Sequence, residues 1–371
     1  MDTSPAFGQA DLTNCERELI HLAGSIQPHG VLLVLRERDG RVLQVSANSA
    51  ALLGLAPEAL LLQPLGVLGG DLDARVQQAA AWPDLAEPRP LHARTAVGGT
   101  PRDWACALHR VAGQGVLVLE LEAPGGGPAG VQTPGQPALM QRLSDTVAQF
   151  GQAATIGALC DGIARCVRDL TGYDRVMVYK FDPDGHGKII AEARDPRLDS
   201  LLGHQYPATD IPQRARQLYL SNRVRMLVDV HYQPVPLQPP LLPADAAAGR
   251  AAPADLDMSM CCLRSMSPLH LQYLKNMGVT GTLVVSLVRE GRLWGLIAAH
   301  HDSPRAIGPG LRAACDLLSE VAATRIAAIE NYAHAQVAMM VRRLEQRLIE
   351  ATSTEGDWRY ALLRNPRTLL Q

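Results

Sequence analysis

Two histidines stand side by side at His300 and His301, a third lies at His270, and seven cysteines are spread over positions 15, 106, 160, 166, 261, 262 and 315. Adjacent histidines invite a metal reading. On a strand, however, neighbouring side chains point to opposite faces, so these two imidazoles cannot share one ion. The cysteines form no CxxC pair and have no zinc spacing, which argues against a structural metal site. Cys15 has Asn14, Glu16 and Glu18 around it; acidic neighbours raise a thiol pKa, so local electrostatics does not mark it as reactive. Cys160 lies on the apolar face of a helical pattern and reads as a small core hydrophobe. Asp210 sits in Tyr206-Pro207-Ala208-Thr209-Asp210-Ile211-Pro212, where a proline on each side restricts the backbone. The plain structural reading makes it the N-cap of a helix over 212–219 with proline at N1. No Ser/His/Asp order, phosphate loop or HExxH string supports an enzyme.

Elements must position these residues, and the 371-residue chain is long enough for two domains. Its 47% hydrophobic and 19% charged residues are those of a folded chain, not a disordered one. With 35 Lys+Arg against 37 Asp+Glu the net charge is -2, giving no field to attract nucleic acid. The three lysines (Lys180, Lys188, Lys275) are scattered, which excludes a lysine-built membrane patch. The most apolar stretch, 50–68, is interrupted by Pro57, Glu58, Gln63 and Pro64, whereas a membrane span needs about 20 uninterrupted apolar residues. The first residues lack the basic and apolar regions of a signal peptide, so a cytoplasmic protein with reduced thiols is expected.

After an N-terminal segment (1–30), residues 31–122 read as strand 31–35, a turn at 37–40, strand 41–46, a helix at 47–53, then strands near 91–95, 103–109 and 115–121. Two strands, short helices and a three-stranded meander are the order of a PAS-type sensor domain. Residues 123–137 hold too much Gly and Pro for helix or strand and mark a linker. The second domain, 138–330, opens with a helix at 155–170 carrying Ile156, Leu159, Cys160, Ile163, Val167 and Leu170 on one face. A hairpin (175–181, 188–193), a Pro- and Ala-rich surface loop (233–253), an apolar hairpin (282–288, 293–300) and a closing helix follow. That is the plan of a GAF-type domain, and the expected fold class is α+β, with antiparallel sheets and flanking helices. From Leu311 a helix of about 40 residues spans roughly 60 Å. Its part beyond the domain, 331–355, is expected to pair with its copy in a homodimer. Residues 356–371 read as the opening of a further domain.

Several strings resemble the photosensory region of bacteriophytochromes: Cys15 followed by Ile26-Gln27-Pro28-His29-Gly30; 174–179 (DRVMVY); 206–212 (YPATDIP); 263–270 (LRSMSPLH); 273–278 (YLKNMG); and 293–301 (LWGLIAAHH). They lie in the family's order and cover residues from about 10 to 330. The resemblance implies biliverdin IXα in the GAF domain, attached by thioether to Cys15, with the N-terminal segment knotted through a GAF excursion. It implies that Asp210 offers its carbonyl to the ring nitrogens, His270 sits against the central pyrroles and His300 bonds the ring-D carbonyl. Arg225 and Arg264 match propionate clamps, which suits the planar guanidinium fork. Tyr179, Tyr206 and Tyr273 match the ring-D pocket, and Thr282 and Ser286 the hydroxyls of the propionate side. Ile211, Pro212, Tyr219 and Ser267 complete the expected chromophore-binding set. Three Phe and eight Tyr make aromatics scarce, which favours a specialised role for these tyrosines.

Some positions depart from the pattern. Val284 stands where many relatives carry a hydroxyl, implying one propionate contact fewer, and Thr209 replaces a common serine. Leu269 occupies the place where plant and cyanobacterial relatives attach their bilin, which favours biliverdin over phycocyanobilin. Cys261 and Cys262 lie close enough upstream to be weighed for a second adduct. The resemblance implies a non-enzymatic light receptor that isomerises its chromophore at ring D and signals through the long helix. Family output modules, commonly histidine kinases, and the PHY domain that covers the chromophore lie outside this chain. Lacking PHY, the fragment is expected to fluoresce in the far-red or near-infrared. The alternative from another class is a GAF module that binds a cyclic nucleotide or other small molecule without a covalent bond.

Overall fold

The computed structural model describes residues 4–11, 14–124, 130, 136–245 and 249–355. The first domain runs β1 (Ser25–Ile26), β2 (Gly30–Arg36), β3 (Val42–Ser46), three short helices α1 (Ser49–Leu53), α2 (Pro57–Leu60) and α3 (Leu72–Ala80), then β4 (Arg89–Thr95), β5 (Arg102–Val111) and β6 (Val116–Glu122). The second runs α4 (Gln136–Gln152), α5 (Ile156–Thr171), β7 (Arg175–Phe181), β8 (Gly187–Arg194), β9 (Gln205–Tyr206), α6 (Gln213–Ser221), β10 (Val224–Leu227), β11 (Val235–Gln238), α7 (Pro268–Asn276), β12 (Gly281–Arg289), β13 (Arg292–His301) and α8 (Pro309–Glu355). The fold is α+β, with two mainly antiparallel sheets. Their strand orders are β1-β11-β3-β2-β6-β5-β4 and β10-β12-β13-β7-β8-β9.

Strand β2 is apolar at successive positions because both of its faces are covered. Val31, Leu33 and Leu35 pack under the short helices, while Leu32 and Val34 face a second core containing Leu237, Met258 and Leu263. Strand β6 repeats this division, Leu117, Leu119 and Leu121 on one side and Val116 and Val118 on the other. That second core explains a departure from expectation. The stretch 233–253 does not run as a surface loop throughout: 235–238 form β11, which lies between β1 and β3. Its prolines misled the reading. The amide that bonds outward is that of Leu237, donating to the Gly24 carbonyl at 2.9 Å, so Pro236 forfeits no needed N–H.

The N-terminal segment is knotted through the excursion that joins β10 to α7. Ser25 and Ile26 pair with Pro236 and Val235 on one limb. On the other, the Gln27 amide donates to the Leu263 carbonyl at 2.8 Å, and Ser265 N–H to the Ser25 carbonyl at 3.0 Å. Gln27 also fixes β10, its side chain donating to the Met226 carbonyl and accepting from Val228 N–H.

The second sheet divides its faces as strictly as the first. Val176, Val178, Leu283, Val285, Ile297 and Ala299 pack against α5 and α8, whereas Met177, Tyr179, Val284, Leu296 and Ala298 face the opposite side. The helix expected at 155–170 appears as α5, capped by Thr155, whose hydroxyl accepts from Ala158 N–H at 3.2 Å. Cys160 is fully buried in this core. Helix α4, absent from the sequence reading, precedes it and packs through Leu143 and Phe150. Helix α8 is about 70 Å long by its 47 residues. Leu311, Cys315, Leu318, Ala322 and Ile326 are buried, but from 331 onward the described side chains are exposed except Leu344. Residues 356–371, expected to open another domain, and most of the 123–137 linker lie outside the described residues. Among the described residues no helix is long and apolar enough to cross a membrane.

Candidate functional site

The face of the second sheet turned away from α5 and α8 is roofed by α6, α7 and the 207–212 turn, which leaves a cavity in two lobes of about 250 and about 120 Å³. Asp210, Tyr219, His270 and Tyr273 line both lobes, so the two are contiguous.

The larger lobe is built around arginine. Arg225 is 4% exposed and its guanidinium donates to the carbonyls of Cys261 (2.9 Å), Cys262 (3.1 Å) and Arg264. Arg264, 5% exposed, donates to the Met258 carbonyl at 3.3 Å. Among the described residues neither forms an ion pair with a carboxylate. Burial pushes Arg264 down to about 9, helped by the charge of Arg225, and lowers Arg225 as well. Two buried cations held only by carbonyls mark a place for an anion, because uncompensated buried charge costs several kcal/mol.

Glu18, which sequence reasoning did not single out, closes this lobe from the N-terminal segment. Its carboxylate accepts from the Ser267 hydroxyl at 2.7 Å and from Gly8 N–H at 2.8 Å. Arg214 lies beside it and donates to the Ser4 hydroxyl. Ser267 therefore lines the lobe with its hydroxyl already engaged. The backbone of Cys15 forms a short 3-10 turn (Cys15–Arg17) leading to Glu18, while its side chain lies outside the described part of the molecule. Leu269 lines the lobe, but Cys261 and Cys262 line neither. Burial pushes the Cys262 thiol up to about 12 and that of Cys261 well above its usual value.

The smaller lobe is aromatic. Tyr179 packs on Phe181 and Tyr206 at ring distances of 5.1 and 5.9 Å, and His270 stacks on Tyr273 at 6.2 Å. Ile211, Thr282, Val284 and His300 complete its wall. Burial lowers His270 and His300 to about 4, with Arg225 adding to the first and Arg175 and His270 to the second. Among the described residues the buried Tyr179 hydroxyl and His300 Nδ1 have no hydrogen-bond partner, so the lobe offers polar atoms to a ligand. Gly187 lies directly beneath Tyr179: a Cβ there would fall 1.8 Å from the ring. Ser286 stands apart, lining neither lobe and donating to the Tyr219 carbonyl at 2.7 Å.

Asp210 closes a 3-10 turn (Ala208–Asp210) at the exposed junction of the lobes, and partial desolvation raises its carboxyl. It does not cap the following helix, as its plain reading had it; the N-cap is Pro212. The turn is held by Arg216, another residue the sequence reading missed. Its guanidinium donates to the carbonyls of Ile211 (2.8 Å), Gly185 (2.7 Å) and Ala208 (2.9 Å) and lies over the Phe181 ring. The signal available was an arginine one turn past Pro212, where it can fold back. His301 points away from His300, with Asp174 at 2.6 Å and Arg305 at 3.0 Å. Asp174, His301 and Asp302 gather closely enough for a cation, but the Arg305 guanidinium already stands against His301 Nε2.

Two family models match, the PAS fold over residues 15–124 and the GAF domain over 155–329. Cyanobacterial phytochrome B of Nostoc sp. is 38% identical over 98% of this chain and 47% of its own length. A bacteriophytochrome of Xanthomonas campestris pv. campestris is 38% identical over 93% of this chain and 52% of its own. The chain thus spans about half the length of these curated relatives. Among solved structures, the chromophore-binding domain of a bacteriophytochrome from R. palustris superposes with a TM-score of 0.76 at 34% identity, covering 86% of this chain and 99% of that one. The Stigmatella aurantiaca phytochrome photosensory core module gives a TM-score of 0.81 at 36% identity, with 97% and 69% covered. Sequence, fold and the paired PAS and GAF domains agree: this chain belongs to the bacteriophytochrome family of photoreceptors.

Proposed function

We propose that this chain is a light-sensing module that holds biliverdin IXα covalently through Cys15. The observation that carries the reading is a pair of buried guanidiniums, unpaired with any carboxylate among the described residues, at one end of a cavity whose other end is aromatic. A linear tetrapyrrole with two propionates has the matching halves: carboxylates for Arg225 and Arg264, and a conjugated ring for Tyr179, Tyr206 and Tyr273. When bound, it supplies red-light absorption and isomerisation of the methine bridge between rings C and D.

The protein's part is to bind, orient and protonate. Asp210, with Ile211 and Pro212, presents backbone to the pyrrole nitrogens. His270, lowered by burial, is poised to share a proton with them, and His300 offers a donor to ring D. Thr282 adds a buried hydroxyl beside His300, its partner on β13. Rearranged contacts at Asp210 and His300 would pass through β13 to α8. The exposed stripe of α8, including Tyr332, Val337 and Met340, would pair with its copy in a homodimer. Signalling rather than catalysis is the role of this chain, in the cytoplasm, with output by further domains such as a histidine kinase. The reading includes emission from the bound chromophore in the far-red or near-infrared.

The test mixes purified apoprotein with biliverdin, records the visible spectrum and then denatures the sample. A sharp far-red band with bilin retained on the chain supports the reading, and Cys15→Ser should abolish retention. Colour lost entirely on denaturation would replace it with a noncovalent small-molecule sensor.

A further inference from the structure

The wall of the arginine lobe is supported from behind by the first domain. Along β6, positions 116, 118, 120 and 122 share a face, the one turned toward the excursion, and Glu120 meets the 258–264 turn there. Both are buried. Glu122 has an ordinary partner, a bidentate pair with Arg312 at 2.9 and 2.5 Å, with His29 at 3.5 Å. Glu120 has no cation against it among the described residues. Its two oxygens accept instead from Cys262 N–H at 2.9 Å and Leu263 N–H at 2.7 Å.

Those two amides belong to the peptide planes whose opposite ends hold Arg225. The plane joining Cys261 to Cys262 presents its N–H to Glu120 and its carbonyl to Arg225. The plane joining Cys262 to Leu263 does the same. A trans peptide is rigid and its N–H and C=O point in opposite directions, so pinning one end aims the other. Hydrogen bonds in series also polarise one another, so the carboxylate charge strengthens the carbonyls as acceptors for the guanidinium. Burial pushes Glu120 up to about 7 while the two amides pull it back, and two N–H donors on two oxygens are the geometry of the ionised form.

We propose that Glu120 is a positioning residue for the anion site: through two peptide planes it fixes and electrostatically balances Arg225, so that the first domain sets the second domain's grip on a ligand carboxylate. This rests on the reading of the cavity as a site for a carboxylate-bearing bilin. It explains why a carboxylate is buried opposite a turn that holds no cation of its own against it, and it assigns the contact between the domains a role in ligand choice.

The experiment, run throughout on the full chain with Cys15→Ser so that binding stays reversible, compares the affinities of apoprotein for biliverdin and for its dimethyl ester, which keeps the ring system but lacks the carboxylates. The Cys15→Ser parent should prefer the acid, and Glu120→Gln should reduce that preference by about fivefold or more while leaving ester affinity nearly unchanged. Glu120→Asp, charged but too short to reach both amides, should lie between and serves alone if the Gln variant does not fold. In Arg225→Gln the preference should already be low, and adding Glu120→Asp should lower it no further. A merely structural role would weaken acid and ester alike. A parent preference for the acid that is undiminished at Glu120→Asp overturns the inference and leaves the bilin reading intact. Equal affinity of the parent for acid and ester overturns the carboxylate reading and the inference with it.

Discussion

The two lobes of the cavity solve opposite problems. In the larger lobe the side chains are fixed and the cations lack a direct partner: Arg225 and Arg264 are immobilised by backbone carbonyls, yet among the described residues no carboxylate pairs with them. In the smaller lobe charge is suppressed and hydrogen bonds are left open, with burial holding two histidines toward the neutral form and the Tyr179 hydroxyl without a partner among the described residues. On the proposed reading one end recognises a ligand's charge. The other offers rings with open polar tips, which suits the proposed isomerisation of the ligand.

Substitutions can separate the two ends. Arg264→Met is expected to have the largest effect on ligand retention, weakening biliverdin binding by about 2 kcal/mol, or roughly thirtyfold, in a spectroscopic titration. Stability of the apoprotein should stay within about 1 kcal/mol, since relief from burying an unpaired cation offsets one lost carbonyl contact. A loss of ligand affinity matched by an equal loss of apo stability would erase the contrast between the lobes.

Gly187→Ala tests the aromatic end. The added methyl must displace the Tyr179 ring, costing about 1–3 kcal/mol of stability. The visible band should shift while the preference for acid over ester is kept. A variant that loses that preference as well would show that the lobes are not separable.

A smaller effect lies in pH. Because His270 and His300 sit near 4 when folded and near 6.5 when unfolded, the unfolded chain binds more protons between those values. Their contribution to apo stability is complete above about pH 6.5 and is lost as pH falls toward 4. The slope is at most about 1.4 kcal/mol per pH unit for each proton. Denaturant titrations across that window should show a flatter dependence in His270→Gln.

The smallest expected effect on the bound spectrum comes from Met340→Glu on the exposed half of α8. Light scattering should then report a monomer while absorption is unchanged. A spectral change would mean that the helix reaches back to the cavity.

Legibility in the sequence followed the range of the interactions. The hairpins β7–β8 and β12–β13 were readable because turn residues and apolar runs are local signals, and α5 because its stripe repeats every turn. Strand β11 was not, since its pairing with Ser25 and Val45 depends on residues about two hundred positions away and its prolines mimic a loop. The cavity residues named by resemblance mostly lie around one space, Ser286 excepted. Their supports were invisible. Arg216 looks like any surface arginine until three carbonyls converge on it, Gly187 like any turn glycine until Tyr179 lies over it, and Glu18 like any acid in a polar leader.

The knotted N-terminal segment bears on how the molecule is made. Synthesis delivers residues 25–27 first, but their partners at 235–237 and 263–265 emerge much later, so the first sheet cannot gain its β11 edge while the first domain alone has left the ribosome. Contacts so distant in sequence make for slow closure. Once closed, they make the N-terminus a poor handle for mechanical unfolding. A pull on it would tighten the excursion around residues 25–27 before any strand of the second sheet is released.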